Sequence, residues 1–141
     1  MEIRTAQPHE LTVVRELWEE FEHEIPDPVG EQPVWPDVAD EARAALVAGC
    51  VLLASVDAEP VALAWFTPPR RGVARLEYLY VKPAHRRSGV ARRLVDAVAR
   101  EVRPRGATHL VLEVVATNDA ARATWEALGF ELIEYRLAAT I

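Results

Sequence analysis

Apolar residues recur at spacings of three and four from Leu11: Leu11, Val14, Trp18, Phe21 and Ile25, with acids between them. That period lays one apolar stripe along a helix from about His9 to Glu24. Residues 2–6 ahead of it read as a short strand. Pro26, Pro28, Gly30, Pro33 and Pro36 then forbid regular structure, and Asp37 is placed to cap a second helix through Ala48. The pattern changes at Cys50–Val56, a continuous apolar run that reads as a buried strand. After the turn Asp57-Ala58-Glu59-Pro60, Val61–Phe66 returns, and Val73–Lys82 follows a second turn at Thr67–Gly72. Three strands joined by short turns predict an antiparallel meander.

Pro83 ends the third of these strands. A basic loop, Ala84–Ser88, leads into a helix from about Gly89 to Arg103 with Val90, Leu94, Val98 and Val102 as its buried stripe. Pro104-Arg105-Gly106 stops it, and Thr108–Val115 is the next strand. Asn118 caps a helix that runs to Leu128 and is stopped by Gly129; Phe130 to about Leu137 is a last strand. The predicted order is β-α-α-β-β-β-α-β-α-β. Antiparallel strands followed by βαβ units predict an α/β (α+β) fold, with a mixed, mostly antiparallel central sheet and helices on both faces.

Composition bounds this picture without altering it. With 141 residues, half of them hydrophobic and 27% charged, the chain is expected to form one globular domain over 1–141. Its longest nearly apolar run, Ala44–Val56, is short for a membrane span of roughly 20 residues, so no membrane partner is expected. The start, Met1-Glu2-Ile3-Arg4, lacks a signal-peptide pattern, and the single cysteine, Cys50, rules out an intrachain disulfide; a cytoplasmic location is expected. His9, His23, His85 and His109 have no metal-ligand spacing, so no metal site is expected. A net charge of -6 argues against a nucleic-acid partner. That average hides a split. Residues 1–42 carry a net charge of -10 and residues 70–105 a net of +8, which fits a cation bound at one place and an anion at another.

The chemistry concentrates in Val81-Lys82-Pro83-Ala84-His85-Arg86-Arg87-Ser88-Gly89-Val90-Ala91. A strand leads through a short basic loop into a helix start, where free N–H groups and the positive end of the dipole favour phosphate. Gly89 lets the backbone come close, and Arg86 and Arg87 add charge-assisted hydrogen bonds. The alternative is a solvated basic loop that caps its helix with Ser88. There is no Gly-Lys-Ser/Thr for a triphosphate loop and no Gly-x-Gly-x-x-Gly for a dinucleotide fold.

Arg86-x-x-Gly89-x-Ala91, after a strand ending Leu79-Tyr80-Val81-x-Pro83, resembles the acetyl-CoA pyrophosphate loop of the GNAT superfamily of N-acetyltransferases. Asn118-x-x-Ala121-x-x-x-Trp125-x-x-x-Gly129-Phe130 is similar to that family's Asn-x-x-Ala…Tyr…Gly-Phe helix. The two motifs stand in order with the expected strands between them, and the resemblance covers essentially the whole chain. It implies acetyl-CoA as donor, bound by Arg86, Arg87, Ser88, Gly89, Val90 and Ala91 at its pyrophosphate. The pantetheine arm would lie in a wedge between the Val73–Lys82 and Thr108–Val115 strands. Backbone groups near Leu79, Tyr80 and Val81 would pair with that arm, and an N–H there would face the thioester oxygen. Asn118 would meet the thiol end as well as capping its helix.

An amine attacks a thioester only as the neutral base, and an alkylammonium with a pKa near 10.4 is almost fully protonated at pH 7. A proton acceptor is therefore useful, and a fixed donor must meet the oxyanion. Glu77, a carboxylate in the apolar strand Leu76–Val81, is the candidate base, the alternative being a surface glutamate or a partner for Arg75; Glu113 on the next strand is the lesser case, with exposure at an edge as its alternative. Trp125 stands where the family commonly carries a tyrosine thought to protonate the leaving thiolate, and indole cannot supply that proton. Three possibilities stay open: water or the thiol's own acidity suffices; Tyr78, Tyr80 or Tyr135 stands in, with Tyr80 taken into the candidate catalytic set; or the domain binds acyl-CoA as a non-catalytic sensor. The acids Glu16, Glu19, Glu20, Glu22, Glu24, Asp27 and Glu31 lie where the resemblance implies the acceptor pocket, which points to a cationic amine of a small molecule or peptide. Trp35 and Trp65 are candidates for an aromatic wall. The apolar end Leu137–Ile141 could pair with another copy's sheet edge, which leaves a homodimer open.

Overall fold

A computed structural model describes residues 1–141. The chain runs β1 (Glu2–Thr5), α1 (Leu11–Glu24), α2 (Trp35–Val47), β2 (Val51–Val56), β3 (Glu59–Phe66), β4 (Val73–Val81), α3 (Val90–Val102), β5 (His109–Val111) and α4 (Asp119–Ala127). The five strands form one sheet in sequence order. β1 to β4 pair antiparallel, with registers such as Ile3↔Ala54, Leu53↔Leu63 and Ala64↔Leu79. β5 joins β4 in parallel, as expected for a strand reached through the α3 crossover.

β2 and β3 are apolar at every position but Ser55 and Glu59 because both faces of the sheet are covered. Val51–Ala54 and Val61–Phe66 are buried residue after residue. α1 and α2 pack together, and α1 lies against β3 and β4 through Trp18 and Phe21. α3 packs on β2, β3 and β4 through Val90, Leu94, Val98 and Val102, the stripe its sequence predicts. The β2–β3 hairpin turns on Asp57 and Ala58, both at positive φ, the conformation a two-residue hairpin loop requires.

Three local expectations change. Asp37 does not stand before the second helix but in its first turn, where its carboxylate accepts the N–H of Val34, so α2 starts three residues earlier. The strand expected over Thr108–Val115 is paired only at His109–Val111, because β4 stops pairing with it after Arg75. The last expected strand, Phe130–Leu137, joins no sheet. Its apolar, β-favouring residues have no strand beside them, and Leu132, Ile133, Tyr135 and Leu137 stand exposed. The order thus ends β-α, and no residue from Arg103 onward is fully buried.

One carboxylate ties the start of the chain together. Glu10 accepts two hydrogen bonds from the Arg4 guanidinium, at 2.7 and 2.8 Å, and a third from the backbone of Gln7. The Arg4 hydrogen bonds hold its carboxyl down at about 2. Its contribution is therefore complete above the ordinary glutamate range and is lost as pH falls toward about 2. Glu10→Gln is expected to cost about 1–2 kcal/mol at neutral pH. Urea unfolding should show that difference shrinking as pH drops through that window.

Candidate active site

The site forms where β4 leaves β5. Pairing is confined to Val73↔His109, Ala74↔Leu110 and Arg75↔Val111, while β4 runs on to Val81. From Leu76 to Val81 the edge of β4 away from β3 has no strand partner, so a wedge opens between the two strands; at its far end the Val81 carbonyl is taken by Arg86. Gly72 anchors the closed end. Its carbonyl accepts the N–H groups of Thr108 and His109, and a Cβ on it would come within 3.0 Å of the Thr108 hydroxyl.

Glu77 is the extra residue of a β-bulge. Trp65 pairs with Tyr78 and Phe66 with Leu76, which leaves Glu77 with no opposite residue. A bulge re-aims its side chain, and here it brings the carboxylate beside Arg75, at 3.9 Å, with 36% of the side chain exposed. Burial pushes the Glu77 carboxyl upward; Arg75 opposes this, and the nearby carboxylates of Glu41 and Glu113 reinforce it. Arg75 also donates to Glu113 at 3.0 Å, so one guanidinium holds both acids at the β4–β5 junction. Glu113 itself is largely exposed and serves this pair.

The basic loop enters α3 through two left-handed residues. Arg87 (φ 61°) and Gly89 (φ 81°) adopt the left-handed conformation, and the backbone between them curls into the start of α3. No backbone or side-chain acceptor within the protein meets the N–H groups of Arg87, Ser88, Gly89, Val90, Ala91 or Arg92. Six consecutive free amides at a helix start are an arrangement whose chemistry suits an anion. Gly89, not Ser88, is the N-cap; the Ser88 hydroxyl donates to the carbonyl of His85 at 2.7 Å. Val90 turns its side chain into the core, and Ala91 is half-buried, so each offers only its amide. A Cβ on Gly89 would meet nothing within the protein.

Arg86 is held otherwise than its motif implies. Its Nε donates to the Val81 carbonyl at 2.8 Å, its Nη2 to Glu24 at 2.7 Å, and its guanidinium lies 5.6 Å from the centre of the Tyr80 ring. Lys82 likewise meets Glu20 at 3.7 Å. The two halves of the charge split therefore touch. Part of the acid on α1 balances the basic loop, while Glu19 pairs with Arg15 and Glu31 with Arg136. Glu16, Glu22 and Asp27 have no cationic partner within salt-bridge distance.

The other candidates take these places. Tyr80 is buried, and burial together with Glu20 pushes its hydroxyl up to about 12. Tyr78 sits edge-on to Trp18 and Phe21 and tilted against Trp65, inside an aromatic cluster, with its hydroxyl raised by burial. Tyr135 is exposed on the terminal segment. Leu79 is half-buried against the core, and Val81 is buried. Asn118 caps α4, its Oδ1 accepting the N–H of Ala121 at 3.3 Å. Trp125 is half-buried and packs edge-on to Phe130 at 5.4 Å. Arg75 gathers two acids at the site, yet its sequence context gives it no role beyond a neighbour of Glu77, because its second partner lies 38 residues away.

The acetyltransferase (GNAT) family model matches residues 11–130. Among solved structures, the chain is similar to the apo aminoglycoside antibiotic 6'-N-acetyltransferase AAC(6')-IG from Acinetobacter haemolyticus, at 24% identity, TM-score 0.77, covering 100% of this chain and 98% of that one. It is similar to the aminoglycoside N-acetyltransferase AAC(6')-Iy in complex with CoA, at 23% identity and TM-score 0.77, over 99% and 93% of the two chains. A ribosomal-protein-alanine N-acetyltransferase from Brucella melitensis matches at 22% identity and TM-score 0.73, over 93% and 85%. No curated relative matches significantly. No helix is long and apolar enough to cross a membrane.

Proposed function

Because the chain belongs to the acetyltransferase (GNAT) family, we propose that it moves the acetyl group of acetyl-CoA to a primary amine of a small cationic molecule or peptide, by direct attack with both bound together. The observation that carries this reading is the run of free amides at Arg87–Arg92, set at the mouth of the wedge between β4 and β5. Those amides fit a pyrophosphate, and the strand-free edge of β4 at Leu79–Val81, whose Val81 carbonyl is met only by the Arg86 side chain, fits the amide groups of a pantetheine arm.

Glu77 takes the proton that the attacking amine must shed, directly or through water. The amine nitrogen bonds to the thioester carbon, a β4 N–H holds the oxyanion, and the C–S bond breaks as the tetrahedral adduct collapses. The electron pair leaves on sulfur, and a thiol's pKa of about 8.5 makes that thiolate a fair leaving group without a strong acid. Tyr80, with its hydroxyl pushed up to about 12 by burial and Glu20, would serve as a hydrogen-bond donor rather than as the proton source. Asn118 has its amide nitrogen free for the same end of the donor while its oxygen caps α4. Trp125 contributes packing.

Release of free CoA thiol from acetyl-CoA, measured with a panel of primary amines, tests the reading. Amine-dependent release is expected. Tight CoA binding with no turnover of any amine would overturn catalysis in favour of a non-catalytic acyl-CoA sensor.

A further inference from the structure

Two ion pairs tie the end of α1 to the segment that leaves β4. Glu20 and Glu24 stand one turn apart on the same face of α1, and they meet Lys82 at 3.7 Å and Arg86 at 2.7 Å. Exposed pairs contribute little singly. Arg86 makes more than a pair. Its Nε donates to the Val81 carbonyl at 2.8 Å, and its guanidinium lies 5.6 Å from the centre of the Tyr80 ring. One side chain therefore holds a carbonyl and a ring of β4 on one side and a carboxylate of α1 on the other.

That geometry leaves the anion site to the backbone. Arg86 is the last residue before the left-handed turn at Arg87; its own backbone is extended, and its N–H is spent on the Pro83 carbonyl at 3.3 Å. The free amides begin only at the next residue. A guanidinium grips phosphate best through a fork of two parallel N–H groups. In Arg86 the Nε–Nη2 fork is already divided between Val81 and Glu24. Arg87, exposed and in no ion pair, is the side chain free to add its charge there.

The end of α1 borders the candidate base. Phe21, at the start of the last turn, packs edge-on to Tyr78 at 5.5 Å, and Tyr78 follows Glu77 in β4. Glu77 also feels the charge of Glu41 on α2, the helix packed on α1. Resting on the acetyl-transfer reading with Glu77 as base, we propose that Arg86 is a positioning residue. It pins the last turn of α1 to β4 and so fixes the wall against which the acceptor docks beside Glu77. The CoA pyrophosphate is held by the amides of residues 87–92 without it. This parts from what its motif implies, a side-chain ligand of phosphate.

Arg86→Ala, Arg86→Lys and Glu24→Gln test this by calorimetry with CoA and by the thiol-release assay with a primary amine. Both partners are 42% exposed, so the fold stands in each variant. CoA affinity is expected to stay within about threefold in all three. KM for the amine is expected to rise about three- to tenfold in each, with kcat changed less. Lys keeps the charge a phosphate needs but cannot bridge a carbonyl and a carboxylate from one plane, so it does not restore the amine KM. Arg86→Ala combined with Glu24→Gln should be no worse than either alone, because each breaks the same pin. A tenfold or greater loss of CoA affinity in Arg86→Ala overturns the proposal, and its recovery in Arg86→Lys would make Arg86 a phosphate ligand. An amine KM that Arg86→Ala or Glu24→Gln leaves unchanged overturns it as well, with acetyl transfer left standing. If no amine is turned over, the acetyl-transfer reading fails first, and amide hydrogen exchange reads the pin alone. Faster exchange at residues 20–24 in both Arg86→Ala and Glu24→Gln, with CoA affinity kept, supports the pin, and unchanged exchange overturns it.

Discussion

Gly89→Val is expected to abolish measurable CoA binding, weakening it by two orders of magnitude or more, about 3 kcal/mol. Two effects add. Gly89 sits at φ 81°, a conformation that costs a β-branched residue at least about 1–2 kcal/mol, so the turn relaxes and the amides of residues 87–92 no longer converge. A Cβ and two methyl groups would also stand in open space at this turn, beside the amides proposed to meet the phosphates. Inside the protein that Cβ meets nothing, so the core is untouched and the fold is retained with a modest fall in melting temperature. Titration calorimetry, with circular dichroism as the check on folding, decides the matter. A folded variant that binds CoA normally would overturn the assignment of the loop.

Glu77→Gln is expected to lower kcat/KM at neutral pH by about a hundredfold or more, the usual contribution of a positioned base. Gln is isosteric and can still accept the hydrogen bond of the amine, but it cannot take a proton. The deficit should shrink as pH rises toward the amine's own pKa, near 10.4, where the nucleophile arrives already neutral. The unaltered enzyme should lose activity at the acid end, as pH falls through a Glu77 pKa that burial holds above the ordinary glutamate value. A pH–rate profile in the Gln variant that matches the unaltered enzyme would sink the role of base. Arg75, shared between Glu77 and Glu113, sets how far that limb moves, since its charge opposes the rise.

The features legible in the sequence are those carried by short spacings. The α1 and α3 stripes, the meander of β2 to β4 and the loop before Gly89 all depend on neighbours a few residues apart, and each lies where its pattern predicts. The terminal segment shows where pattern fails. Phe130–Leu137 has the composition of a strand, but a strand exists only where it is paired, and this segment pairs neither with the open edge of β5 nor with any other strand. Asp37 failed on a finer point: a carboxylate three positions inside a helix can close the same gap in hydrogen bonding as one placed before it. Net charge failed differently. The acid of α1 and the base of the loop were separable along the chain, but Glu20 with Lys82 and Glu24 with Arg86 are contacts across 62 residues.

By itself, then, the amino-acid order determined the helices, the antiparallel strands and the glycine turn that frees a row of amides, because local periodicity and φ preference act within a few residues. Only the tertiary structure decided that Glu77 is the odd residue of a bulge, that β4 and β5 part after Arg75, and that Arg86 is tied to α1. Each of these depends on which surfaces meet after packing, and burial and distance between remote residues have no signature in local sequence.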